Sequence, residues 1–260
     1  MKFIDISESP FHKLRYRSSG RGGEIRNVIL PFYRATVDSL PEGISSFVLT
    51  SDIQGREENI NTNRLVGEAV AEELSLLHKL GEIPYINFAA LAGDLYDYPE
   101  LHKLGGTGSV TSVWNSFAEH FDFVIGVHGN HDKIEVTEMA SNTLILDGTS
   151  SSICGMRIGG VSGIIGRSDR NQRKPKEEFI KKLLKVVTGR KNDLVLLHQG
   201  PEDSVNKQLG EPEITKHLRS NGSGIVVFGH HHWSNPFTEI GKNQLLNVDN
   251  RLYVVSATKT

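Results

Sequence analysis

Five apolar runs in this 260-residue chain end in side chains able to hold a divalent cation. Residues 47–50 lead to Asp52 and Gln54, and 86–92 lead through Gly93 to Asp94. Residues 123–127 lead to Asn130 and His131, 194–197 to His198, and 225–228 to His230 and His232. Taken singly, each ending reads as a turn aspartate or a capped histidine. Five together, on strands that share a sheet, converge on one rim, which is where open α/β sheets collect ligands. Carboxylate, imidazole and amide oxygen are the donor types of such a centre. Six of the eleven histidines (His128, His131, His198, His230, His231 and His232) sit at the ends of these runs.

The elements that must position these residues read as strands alternating with helices from residue 46 onward. A helix is predicted over 64–80, capped by Asn63, with Val66, Val70, Leu74, Leu77 and Leu80 inward. A second is predicted over 109–120, with Val113, Phe117 and Phe121 inward. A third spans 176–188, with Phe179, Leu183, Leu184 and Val187 inward and a stop at Gly189. Short runs at 143–146, 152–154 and 156–160, separated by glycine turns, suggest a mainly antiparallel second sheet, and strand-like runs at 237–240, 244–248 and 252–256 follow. Residues 1–45 include a short run at Phe3 to Ile6 and a basic, glycine- and serine-rich stretch at 13–26, which suits a solvated arm and lacks the pattern of a phosphate-binding loop. The chain therefore divides into an N-terminal extension, 1–45, packing on or flanking one domain, 46–260.

The formal charge of −2 argues against a partner that is chiefly nucleic acid or an acidic membrane surface. The single cysteine, Cys154, forms no internal disulfide and reads as a small core residue in an apolar run. No apolar leader core opens the chain, and no run approaches the ~18 apolar residues of a membrane span. A soluble, cytoplasmic protein is the expectation; its oligomeric state is not readable.

In order, the strand ends spell Asp52-Ile53-Gln54, Gly93 to Asp97 (GDxxD), Gly129 to Asp132 (GNHD), His198 after its strand, and Gly229 to His232 (GHxH). This series resembles the calcineurin-like metallophosphoesterase superfamily over roughly residues 46–257, with glutamine where the first motif, D-x-H, has histidine. The resemblance implies an α/β fold, a four-layer αββα sandwich with metal at the sheet edges. It places Asp52, position 54 and His232 on one ion, Asn130, His198 and His230 on the other, and Asp94 between them as a bridge. It also sets His131 beside the leaving-group oxygen, with Asp132 steadying it, and makes His231 a neighbour of the ligands. The implied activity is hydrolysis of a phosphomonoester or phosphodiester by a metal-bridging hydroxide. Short loops favour a small substrate such as a nucleotide. The alternatives are a weak or inactive scaffold of the same fold, and a nuclease using the basic segment 166–176.

The donor types agree with that chemistry. Two divalent ions bring a charge of +4 while Asp52 and Asp94 return −2, leaving a surplus suited to an anionic ester. Gln54 would bind through a carbonyl oxygen, or stand behind the ligands, or leave its site weak or empty. Oxygen ligation favours Mn²⁺, with Fe, Zn, Ni or Mg²⁺ also compatible with the set. Arg56 and Arg167 are candidate contacts for substrate phosphate, each with an alternative reading as a solvated arginine.

Overall fold

A strand that is apolar on both faces needs a layer on each side. Ser46–Ser51 is such a strand: it is buried throughout, with Phe47 and Leu49 on one face and Val48 on the other. Phe88–Leu91, Leu194–Gln199 and Ile225–Gly229 are also buried along their full lengths. The computed structural model describes residues 1–258 and supplies the layers.

A nine-stranded sheet runs in the order Thr143–Ile145, Phe123–Gly126, Phe88–Leu91, Ser46–Ser51, Arg251–Ala257, Ile25–Val37, His12–Ser19 and Arg56–Glu57, with Phe3–Ile6 pairing to Ile25–Val37. A six-stranded sheet runs Thr149–Ile153, Met156–Val161, Leu194–Gln199, Ile225–Gly229, Asn243–Asn247 and Phe237–Ile240. Helices α1 (Val66–Lys79) and α2 (Thr111–His120) cover the first sheet, where Val70, Leu74, Trp114 and Phe117 pack on Val48, Ala89 and Val124. Helices α3 (Lys176–Val187) and α4 (Pro212–Ser220) cover the second, where Phe179, Leu183, Ile214 and Leu218 pack on Val195 and Val226. Between the sheets, Phe47, Leu49, Ala90 and Ile125 meet Ile158, Leu196 and Val227. This is the expected four-layer αββα sandwich. Burying each large aliphatic side chain of these three cores stabilises the fold by about 1.5–3 kcal/mol.

Register aligns the strand ends. Thr50 lies opposite Leu91, Leu91 opposite Gly126, and Leu197 opposite Phe228. The loops carrying Asp52, Asp94, Asn130, His198 and His230 therefore leave their sheets at one level.

Several local expectations are corrected. The second sheet is mixed: the pairings of Met156–Val161, Leu194–Gln199, Ile225–Gly229 and Asn243–Asn247 are parallel, and only its two edge hairpins are antiparallel. Parallel neighbours need crossovers, and α4, which makes one of them, is a short helix with only Ile214 and Leu218 buried. The segment before residue 45 is not a solvated arm. Ile25–Val37 pairs along Arg251–Ala257, and Tyr16, Leu30, Phe32, Ala35 and Val37 are buried core. Leu65 takes the cap position of α1, while Asn63 sits at φ 46° and donates its amide to the Pro99 carbonyl. Leu80 follows α1 and is exposed, as is Leu76. Cys154 is exposed at φ 46°, in the turn between Thr149–Ile153 and Met156–Val161.

Candidate metal centre

Three site residues, Asp52, Asp94 and His230, adopt positive φ (55°, 55° and 70°) at the corners where their strands end. Such a conformation is uncommon for side chains with a Cβ and needs outside support. The support is mutual. Asp52 N donates to the Gly93 carbonyl (2.9 Å), His230 N donates to Asp52 Oδ2 (2.9 Å), and Asp94 N donates to Asp132 Oδ2 (2.8 Å). The corners nest so closely that a Cβ at Gly129 would overlap the Asp94 carboxylate, and one at Gly229 would overlap Asp52 Oδ2. Glycine before Asn130 and before His230 is therefore a packing requirement.

At the meeting point, ligand atoms of Asp94, His198 and His230 all lie within 4.8 Å of one another. Asp94 comes from the first sheet and the two histidines from the second. Asn130 joins them, its Oδ1 lying 3.2 Å from His198 Nε2. His198 is fully buried, and its Nδ1 donates to the Ala92 carbonyl (2.8 Å), leaving Nε2 turned to Asp94 Oδ2 at 3.3 Å. Burial alone would raise the Asp94 pKa, but the His198 charge outweighs it and holds the carboxyl at about 2. Burial likewise lowers His198, and Asp94 reverses this to about 10. Burial, with His198 next to it, pushes His230 down to about 3. A cation held between these groups would take the place of the His198 proton.

Carboxylate, two imidazoles and an amide oxygen fit a first-row divalent ion, and Asp94, Asn130, His198 and His230 are the residues that would hold it. The other half of the expected set is arranged differently. Asp52 is raised well above the ordinary carboxylate range by burial and by the neighbouring Asp249. Gln54 is half-buried on the loop after Asp52. His232 is largely exposed: its Nδ1 lies 3.2 Å from Asp249 Oδ1 and its Nε2 3.2 Å from Arg251 Nη2.

His131 stands at the edge of the cluster, with Nε2 3.9 Å from Asp94 Oδ2 and its main-chain N donating to Asp94 Oδ1 (2.8 Å). Its buried Nδ1 has no hydrogen-bond partner among the described residues. Asp132 does not touch the His131 ring through any hydrogen bond. Its carboxylate accepts from the main-chain N of Asp94 and Gly129 at Oδ2 and of Leu95 at Oδ1, each at 2.8 Å. It thus folds the Asp94 corner onto the Asn130 loop, and burial beside Asp94 lifts its pKa to about 6. Replacing Asp132 with Asn turns an amide NH₂ toward one of these N–H groups. The expected loss is about 1–3 kcal/mol of stability in a urea melt.

Arg56 is buried, with Nε and Nη2 donating to the Asp97 carbonyl and Nη1 to that of Asn63, so its guanidinium braces the loop after Asp94. Arg167 is exposed and pairs with Asp169 (2.6 Å). Sequence reasoning missed Asp249, Arg251 and Asn171, which follow no motif. It also missed the N-terminal contribution, since Ser19 donates its N and Oγ to the Asp97 carboxylate. Asp97 within GDxxD was the available signal.

No curated protein matches the chain by sequence. Among solved structures, a phosphopantetheinyl hydrolase from Mycobacterium tuberculosis aligns at 14% identity and a TM-score of 0.44, covering 79% of this chain and 89% of that one. The family model described as calcineurin-like phosphoesterase matches residues 45–234. With most of its length matched, and with Asp94, Asn130, His198 and His230 brought together, the chain belongs to the calcineurin-like phosphoesterase family.

Proposed function

We propose that this chain is a metal-dependent hydrolase of a small phosphate ester, a phosphomonoester or a phosphodiester such as a nucleotide. The observation that carries the reading is the convergence of Asp94, His198 and His230 within 4.8 Å, donated by both sheets. The family implies divalent ions. When bound, they supply Lewis acidity toward the phosphoryl oxygens and make water acidic enough to attack near neutral pH.

This chain's own residues divide the remaining tasks. Asn130, His198 and His230 would hold one ion and Asp52, Gln54 and His232 a second, with the Asp94 carboxylate available to both. His131, partly exposed beside Asp94, gives a proton to the departing alkoxide. Asp132 fixes the corner on which Asp94 sits. Of the two arginines, Arg56 is buried and engaged with carbonyls, so we assign substrate phosphate to the exposed Arg167, which would exchange its Asp169 partner for the ester. Manganese is the ion we expect, and residues 1–45 form an extension joined to the domain through the first sheet.

One observation favours a second reading, in which the Asp52 half holds its ion weakly and the chain is a one-ion or scaffold version of the fold: both His232 nitrogens are engaged by Asp249 and Arg251. Chelation, metal counting and reloading separate the two. Two Mn²⁺ per chain with restored hydrolysis of phosphomonoesters, cyclic nucleotides or dinucleotides supports the enzyme. One ion and slow turnover supports the weaker centre, and a metal-free protein inert in excess Mn²⁺ overturns the proposal.

A further inference from the structure

The basic segment after Ile165 is tied to the metal centre at its base and again at Asn171, while residues 167–170 are exposed. Gly163 N donates to the His128 carbonyl (2.7 Å), and His128 N donates to Ser162 Oγ (3.0 Å). Ile165 N donates to Oε1 of Gln199, the residue after His198 (2.7 Å). Ile164–Ile165 then pairs with Arg173–Lys174, so residues 166–172 form an excursion closed at its base. Buried Lys174 donates to the Ser162 carbonyl (2.8 Å) and locks that base.

Asn171 lies at the returning end of the excursion. Its Nδ2 donates to the carbonyls of both Asn130 and Asp132, each at 3.0 Å. Both partners are pure acceptors, so the amide nitrogen has to face them. The carbonyl between them, that of His131, accepts from Gly108 N (3.2 Å). All three carbonyls around the His131 peptide are thereby tied, two of them by one side chain that belongs to none of the motifs.

We infer that Asn171 is a positioning residue that holds His131 at the leaving group by clamping the two carbonyls flanking it. The inference rests on the proposed hydrolytic function. Displacing a catalytic group by about 1 Å lowers turnover by about 100-fold, and a His131 released from its clamp gains that freedom. Because His131 serves the departing oxygen, the loss falls on esters whose leaving group needs a proton.

The test compares wild type with N171A on an alkyl phosphate ester and a p-nitrophenyl ester, alongside metal content and thermal melting. N171D, equal in size but without the donor, serves as a second variant. The expected result is unchanged metal content, a kcat about 10- to 100-fold lower on the alkyl ester, and a smaller loss on the p-nitrophenyl ester. In the H131A background N171A should add nothing further. Equal losses on both esters, loss of metal, additivity with H131A, or failure of both variants to fold would each overturn the inference. A wild type inert toward every ester fails the functional reading itself, whereas an active wild type matched by N171A fails this inference alone.

Discussion

Asp94→Asn is expected to lower phosphoesterase turnover by about 10³-fold or more, because several kcal/mol of Lewis-acid stabilisation depend on metal retention and each 1.36 kcal/mol is tenfold. The substitution keeps the shape of the side chain and removes its charge. Asp94 is almost fully buried, its Oδ2 stands 3.3 Å from His198 Nε2, and its Oδ1 accepts from the His131 main chain. In the metal-free protein, removing the carboxylate leaves His198 buried without a counter-charge, a change that costs about 3–5 kcal/mol when one partner of a buried pair is lost. Metal analysis and denaturant unfolding of the apo-protein read the two effects separately. Wild-type metal content together with wild-type turnover would remove Asp94 from the centre of the mechanism.

His131→Ala separates binding from chemistry. The ring reaches Asp94 only at 3.9 Å and is absent from the tight cluster of Asp94, His198 and His230. Metal content should therefore be preserved while kcat falls about 10²–10⁴-fold, the usual contribution of a general acid. The loss should shrink on esters with acidic leaving groups. Full activity on an alkyl ester would sink the assignment.

The strand ends that carry Asp94, Asn130, His198 and His230 were legible because each depends on a local pattern, an apolar strand followed by glycine or a short polar corner, whereas the four layers followed from the resemblance that the series of motifs carries. What escaped depends on contacts distant in sequence. Tyr16 lies in a strand whose other positions are largely polar or exposed, and Phe32 becomes core through partners far apart in the chain, Leu252 beside it in the sheet and Phe11 and His12 against its ring. The second sheet was misread because its two glycine-turn hairpins are visible in sequence, whereas its parallel centre depends on α3 and on a nine-residue α4 with a mostly polar face. Asn63 had a capping residue's chemistry but went to Pro99, and Leu80 fell just beyond the last turn of α1. Asp132, assigned to His131 by resemblance, instead serves three main-chain N–H groups, a role its identity alone does not disclose. His232 illustrates the same limit, since Asp249 and Arg251 meet it from a loop and a strand that carry no motif.

The placement of Arg251–Ala257 between Ile25–Val37 and Ser46–Ser51 also sets an order of assembly. The two earlier strands are near neighbours in sequence and pair early on one edge, with His12–Ser19 and Phe88–Leu91, yet the edge of each that faces the other is filled only once the last strand exists. Ser51 and Arg251, which face each other in the sheet, are about 200 residues apart in the chain. At about 5–20 residues per second a ribosome needs on the order of 10–40 s to bridge that interval. During it the nascent sheet keeps two apolar strand edges open, a template for wrong pairing or for chaperones. The corner bearing Asp52, which follows Ser46–Ser51 directly, therefore acquires its full set of neighbours only late in synthesis.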